Sequence, residues 1–162
     1  MSIRNWLGRP LAVAIISVGA IGATATVANA QPALVRPAAV VQPFSAGDGT
    51  PAGAVQWYQA HLGSTGWEGM CELAAENSYG TSGVWASAIA HWNGASPKHP
   101  GNYSPPLGSF VYWNISSYGH VGISDGNGGA YASSVHGAIG HITSLDYFAN
   151  YLGWTPAAVP HQ

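Results

Sequence analysis

From Gly108 onward the apolar residues of this chain alternate with a period of two, and the alternation breaks only at turns. Residues 109–115 (SFVYWNI), 119–124 (GHVGIS) and 130–135 (AYASSV) read as strands, and 139–143 as a further one. Ser116-Ser117-Tyr118 makes one connection. Asp125 to Gly129 (DGNGG) is a tight hairpin turn, because its glycines and asparagine accept the positive φ that such turns need. Successive short turns of this kind force neighbouring strands to run antiparallel.

The chain before Gly108 has a different period. Thr50-Pro51 reads as an N-cap with proline at the first helical position. The helix it opens runs to about Leu62, with Val55, Tyr58 and Leu62 on one face and Trp57 beside them, and Gly63-Ser64 stops it. Thr65 and Glu68 have capping-box spacing, so a second helix is expected from there to 77–80, with Cys71 in its first two turns. A third is expected over 84–91, with Ser82 as its cap. Residues 93–107 carry four prolines and two glycines and read as a long surface loop. Residues 146–151 read as a short helix or turn, and Leu152-Gly153-Trp154 closes the domain. Helices first and an antiparallel meander afterwards predict an α+β domain.

Residues 1–30 have the layout of a secretory signal peptide. Arg4 and Arg9 form a basic start, 11–27 is apolar and uncharged, and Ala28-Asn29-Ala30 is a small-x-small cleavage pattern. The rival reading is a membrane anchor, but the apolar run is at the short edge of a span and only weakly hydrophobic. Cleavage after Ala30 leaves a chain of 31–162. In it 31–49, rich in Pro, Ala and Val, reads as a flexible leader, and 50–162 as one domain. That mature chain has two basic residues, Arg36 and Lys98, against six acidic ones, a net charge of −4. The absence of a basic patch argues against nucleic acid and against anionic membrane as partners.

The chain has one cysteine, Cys71, so no internal disulfide can form. Outside the cell an idle thiol is an oxidation hazard, which favours a catalytic role over that of a small buried hydrophobe. A thiol attacks as its thiolate, which a helix start and a neighbouring histidine both favour. His120, at the start of a strand, is the candidate base. A Cys71–His120 couple predicts a thiolate abundant below the reference thiol pKa of about 8.5, with Glu72 pulling the other way. The hairpin through DGNGG sets His120 opposite about 132–134. With alternating side chains, Ser134 and His136 share a face with Ala132, so Ser134, or else His136, would orient the imidazole. Trp67 and Trp113 are the candidates to line a groove against sugar or peptide. His61, His91, His99, His141 and His161 show no HExxH-like pairing, and no metal or cofactor is expected.

Three stretches together carry a resemblance: WEGMCEL around Cys71, PPLGSFVYW at 105–113 and YGHVGISDGNG at 118–128. In that order they resemble the papain-like cell-wall hydrolases, the NlpC-type peptidases and CHAP amidases, and YLGW at 151–154 is similar to secreted actinobacterial members. The resemblance implies a papain-like fold, with the nucleophile at a helix start packed on a C-terminal antiparallel sheet. It implies a secreted, wall-associated and monomeric cysteine peptidase or amidase acting on an amide of peptidoglycan, in the stem peptide or at the sugar–peptide link. Two positions depart from the family pattern. Met70 stands where many NlpC-type members have an aspartate that binds the substrate's free amine, and Ser109 replaces an acidic residue of the Pro-Gly-Asp signature. Those departures leave a second expectation open, a wall- or glycan-binding module on the same fold.

Overall fold

The computed structural model describes residues 47–162. The signal-peptide reading, and all of the leader up to residue 46, lie outside the described residues. The described chain is an α+β domain of three helices and a six-stranded antiparallel sheet. The helices are α1 (Pro51–Ala60), α2 (Cys71–Ser78) and α3 (Ala88–Gly94). The strands are β1 (His99–Pro100), β2 (Phe110–Trp113), β3 (His120–Ser124), β4 (Ala130–Val135), β5 (Ala138–Ile142) and β6 (Tyr151–Thr155). They lie in the order β1-β6-β2-β3-β4-β5. The last strand therefore returns across the molecule to sit between β1 and β2.

Local chemistry explains the starts. Thr50 Oγ1 accepts from the Gly53 N–H at 3.0 Å, and Pro51 occupies the first turn of α1. Asp48 accepts from both the N–H and the hydroxyl of Thr50, so the leader's last residues are already part of the capping structure. At the hairpin, Asp125 Oδ1 takes the N–H groups of Asn127 and Gly129, and the Asp125 N–H donates to the Gly129 carbonyl.

Two helix starts differ from the sequence reading. The second helix begins at Cys71 rather than near Thr65, because Gly69 adopts φ +73°, which a right-handed helix excludes. The third begins at Ala88, capped by Ser87, rather than at Val84. Its expected first turn is held out of helix by Glu76, whose carboxylate accepts from the N–H groups of Val84 at 3.1 Å and Trp85 at 2.6 Å. The long 93–107 segment is not wholly loop: His99 and Pro100 pair with Trp154 and Gly153. A Cβ on Gly153 would lie 2.3 Å from the His99 carbonyl oxygen, so this crossing needs glycine.

The sheet is covered on both faces. Phe110 and Tyr112 of β2, with Val121 and Ile123 of β3, pack beneath the three helices. Val111 and Trp113 face the other way and pack with Ala132, Val135, Ile142, Leu145 and Trp154. All four residues of β2 are buried, and all five of β3. One consequence corrects an expectation. Trp113 has no exposed surface and its indole N–H donates to the Leu145 carbonyl at 2.7 Å, so it lines no groove.

Candidate functional site

Cys71 is the first residue of α2, and α2 lies over β3. The helix start has no side-chain cap, since Met70 supplies none. Its free N–H groups are available to the thiol. The backbone N–H groups of Val121, Glu72 and Cys71 itself all act on the sulfur and favour the thiolate. Val121 is the residue after His120, so the start of β3 reaches the thiol through its backbone.

His120 pairs with Trp113 across the β2–β3 ladder and lies against Phe148, with ring centroids 4.5 Å apart. It is on the Trp113 face of the sheet, and α2 is on the other. Cys71 and His120 nonetheless line one cavity of about 260 Å³ at the start of β3, and Ser134 lines it with them. No hydrogen bond joins the thiol to the imidazole among the described residues.

The electrostatics differ from a preformed ion pair. Burial pushes the Cys71 thiol up; the three N–H groups oppose this and the Glu72 carboxylate adds to it. Burial also pushes the His120 imidazole down, to about 4, against the pull of the Ser133 carbonyl and the Glu68 carboxylate. Both groups are therefore neutral near pH 7. This reverses the direction anticipated for the thiol, because desolvation outweighs the helix start. Alkylation of Cys71 by iodoacetamide should accordingly rise with pH through a midpoint above the reference thiol value of about 8.5. A midpoint below it, lost in His120→Ala, would show an ion pair after all.

No side-chain acceptor is in hydrogen-bond contact with the His120 ring among the described residues. The Ser133 carbonyl favours the charged imidazole, although no acceptor stands in hydrogen-bond geometry to Nε2. Ser134 lines the cavity but gives its hydroxyl to Glu68, Oγ to Oε2 2.9 Å. His136 does not line the cavity. It is exposed, with its ring edge-on to Tyr147. The expected shared face fails because β4 bulges between Ala132 and Val135, so that Val135 rather than Ser134 packs with Ala132. Ser134 and His136 take φ of 60° and 53° there. Trp67 is half-buried against Trp57 and His61, away from the cavity lining.

A feature the sequence did not signal is the buried pair behind Cys71. Glu72 Oε1 lies 2.7 Å from His91 Nδ1, and both side chains are nearly inaccessible. Burial raises the Glu72 carboxyl, with His91 opposing. Glu76, equally buried, is committed to the 84–85 backbone. Among the described residues no three His, Cys, Asp or Glu side chains gather as a metal site requires. Chemically, the arrangement offers a neutral thiol at a helix start, a neutral imidazole and a small cavity between them. Comparison with protein-family profiles, with curated proteins and with solved structures finds no match for this chain.

Proposed function

We propose that this chain is a secreted cysteine hydrolase of papain-like layout, similar to the NlpC-type peptidases and CHAP amidases, that cuts an amide bond in peptidoglycan. The reading is supported above all by Cys71 and His120 lining one cavity at the start of α2 and the start of β3. In this mechanism Cys71 Sγ attacks the amide carbonyl carbon while the neutral His120 ring takes the thiol proton. The carbonyl oxygen becomes an oxyanion beside the N–H groups at the helix start. As the C–N bond breaks, His120 gives the proton to the leaving amine, and a thioester remains on Cys71. Water, deprotonated by His120, then adds to the thioester carbonyl; the C–S bond breaks, the acid leaves, and His120 returns the proton to the Cys71 sulfur. A neutral resting pair suits this order, because proton transfer accompanies attack.

A second reading is a binding module for wall glycan or peptide. It is favoured by the absence of a Cys71–His120 hydrogen bond, by the raised thiol and by the depressed imidazole. Incubating residues 31–162 with purified cell wall and weighing the released fragments separates the two. Hydrolysis predicts fragments whose masses sum to that of the parent plus one water for each amide cut, with turnover lost in Cys71→Ala and retained in chelator. Wall binding without fragments, equal in wild type and Cys71→Ala, would establish the module instead.

A further inference from the structure

We propose that the site is a two-sided cleft for an extended peptide, with Tyr118 standing at the divide and contacting the ligand on both sides of Cys71. A second cavity, of about 240 Å³, adjoins the one that holds His120. Gly69, Cys71 and Tyr118 line both. The thiol is thus at the boundary, with space to either side. Together the two cavities fall in the size range of ordinary ligand sites, on the order of 300–1,000 Å³. A Cβ on Gly69 would meet nothing within 4 Å, so the backbone just before Cys71 borders open space.

Tyr118 is 72% exposed, more than any other large hydrophobic residue in the described chain. Its backbone is nevertheless fixed. Its N–H donates to Ser116 Oγ and its carbonyl accepts from the Ile89 N–H at 2.9 Å. An aromatic ring left in water on an immobile backbone loses little entropy when a ligand covers it. Met70, 40% exposed, borders the second cavity, and Ile115, 43% exposed, borders the one that holds His120. Each side therefore has one apolar rim residue as well as the shared tyrosine.

The two sides differ chemically. The side without His120 includes Glu72, whose second oxygen has no hydrogen-bond partner among the described residues. That side favours a hydrogen-bond donor, an amide N–H or an ammonium. The other side carries the hydroxyls of Ser116 and Ser134 and the His120 ring, and suits mixed donors and acceptors. An extended peptide supplies N–H groups, carbonyls and apolar stems at the spacing that such a divided site requires. The proposal rests on the hydrolase reading only in taking Cys71 as the reacting centre.

The test uses the Cys71→Ala chain, which cannot turn over, and titrates it with free stem peptide and with glycan strands stripped of peptide. Tyr118→Ala in that background should weaken peptide binding about tenfold, since a contacted aromatic commonly carries that much affinity. Tyr118→Phe should keep most of it. Tyr147→Ala, which removes an exposed ring that lines neither cavity, should change nothing. Peptides shortened to one side of the scissile amide should bind more weakly than the full peptide. Equal affinity in Tyr118→Ala and its parent overturns the proposal, as does binding of the stripped glycan alone or no binding of any peptide. Tyr118-dependent binding of a peptide that the wild-type chain leaves uncut would sink the hydrolase reading and keep the cleft.

Discussion

Replacing Trp113 with alanine should cost about 3–5 kcal/mol of folding free energy, a large share of the roughly 5–15 kcal/mol that holds a domain together. Trp113 has no exposed surface, and its ring lies within 6 Å of the rings of His120, Phe148 and Tyr151. Truncation leaves a void bordered by those rings and strips the Leu145 carbonyl of its donor. The melting temperature should fall by about 10 °C or more. Trp113→Phe keeps most of the ring and loses the hydrogen bond, so it should lie between the two, near 1–2 kcal/mol. Urea unfolding of the three chains at pH 7 measures this. A groove-lining tryptophan would behave oppositely, leaving stability nearly unchanged and weakening ligand binding. A loss under about 1 kcal/mol in Trp113→Ala would restore that reading.

The misplacement of Trp113 shows what the sequence could and could not carry. Its alternation identified β2 correctly, yet alternation only says that Trp113 and Tyr112 face opposite sides. It does not say that both sides are covered. The second cover comes from Leu145 and Phe148, some thirty residues on, and no local pattern announces it. The legible features were those set by near neighbours. Thr50-Pro51 caps its own helix and DGNGG closes its own hairpin, so both could be read directly. The start of α3 was not legible because a carboxylate eight residues upstream decides it. β1 pairs with β6 across more than fifty residues, and a two-residue strand has no period to detect.

The site was legible to the same degree. Cys71 could be singled out because it is the lone cysteine, and His120 because it opens a strand, and both line one cavity. That Ser134 gives its hydroxyl to Glu68 and that His136 lies off the cavity could not be found, since the β4 bulge shifts the face count by one. Nor could the sign of the thiol's shift. A helix start and a histidine both argue for a thiolate, but the depth of burial that overrides them is a property of packing.

The imidazole's burial has a consequence for stability that is independent of any activity. His120 binds its proton at about 4 in the folded chain and near the ordinary histidine value of 6.5 when unfolded. Between those values the unfolded chain takes up a proton that the folded chain refuses, so stability falls as pH falls. The gap of about 2.5 units is worth about 3 kcal/mol, present in full above pH 6.5 and mostly lost by pH 4. Other groups titrate in the same range with different signs. Glu72, raised by burial, gains stability as pH falls, while Asp48 and Asp125, lowered by hydrogen bonds, lose theirs only further into acid. Comparison with His120→Gln removes these common contributions. The groups that face His120 are Glu68 and Cys71, with uncharged Trp113, Phe148 and Ser134 on the remaining sides. Urea unfolding of both chains at pH 7 and pH 4 should show the wild type losing about 3 kcal/mol relative to the variant. A difference that stays constant within about 0.5 kcal/mol would mean that the ring is solvated in the folded chain. In that case His120 could form an imidazolium near pH 6.5 beside Cys71, and the ion-pair mechanism would return in place of the neutral one.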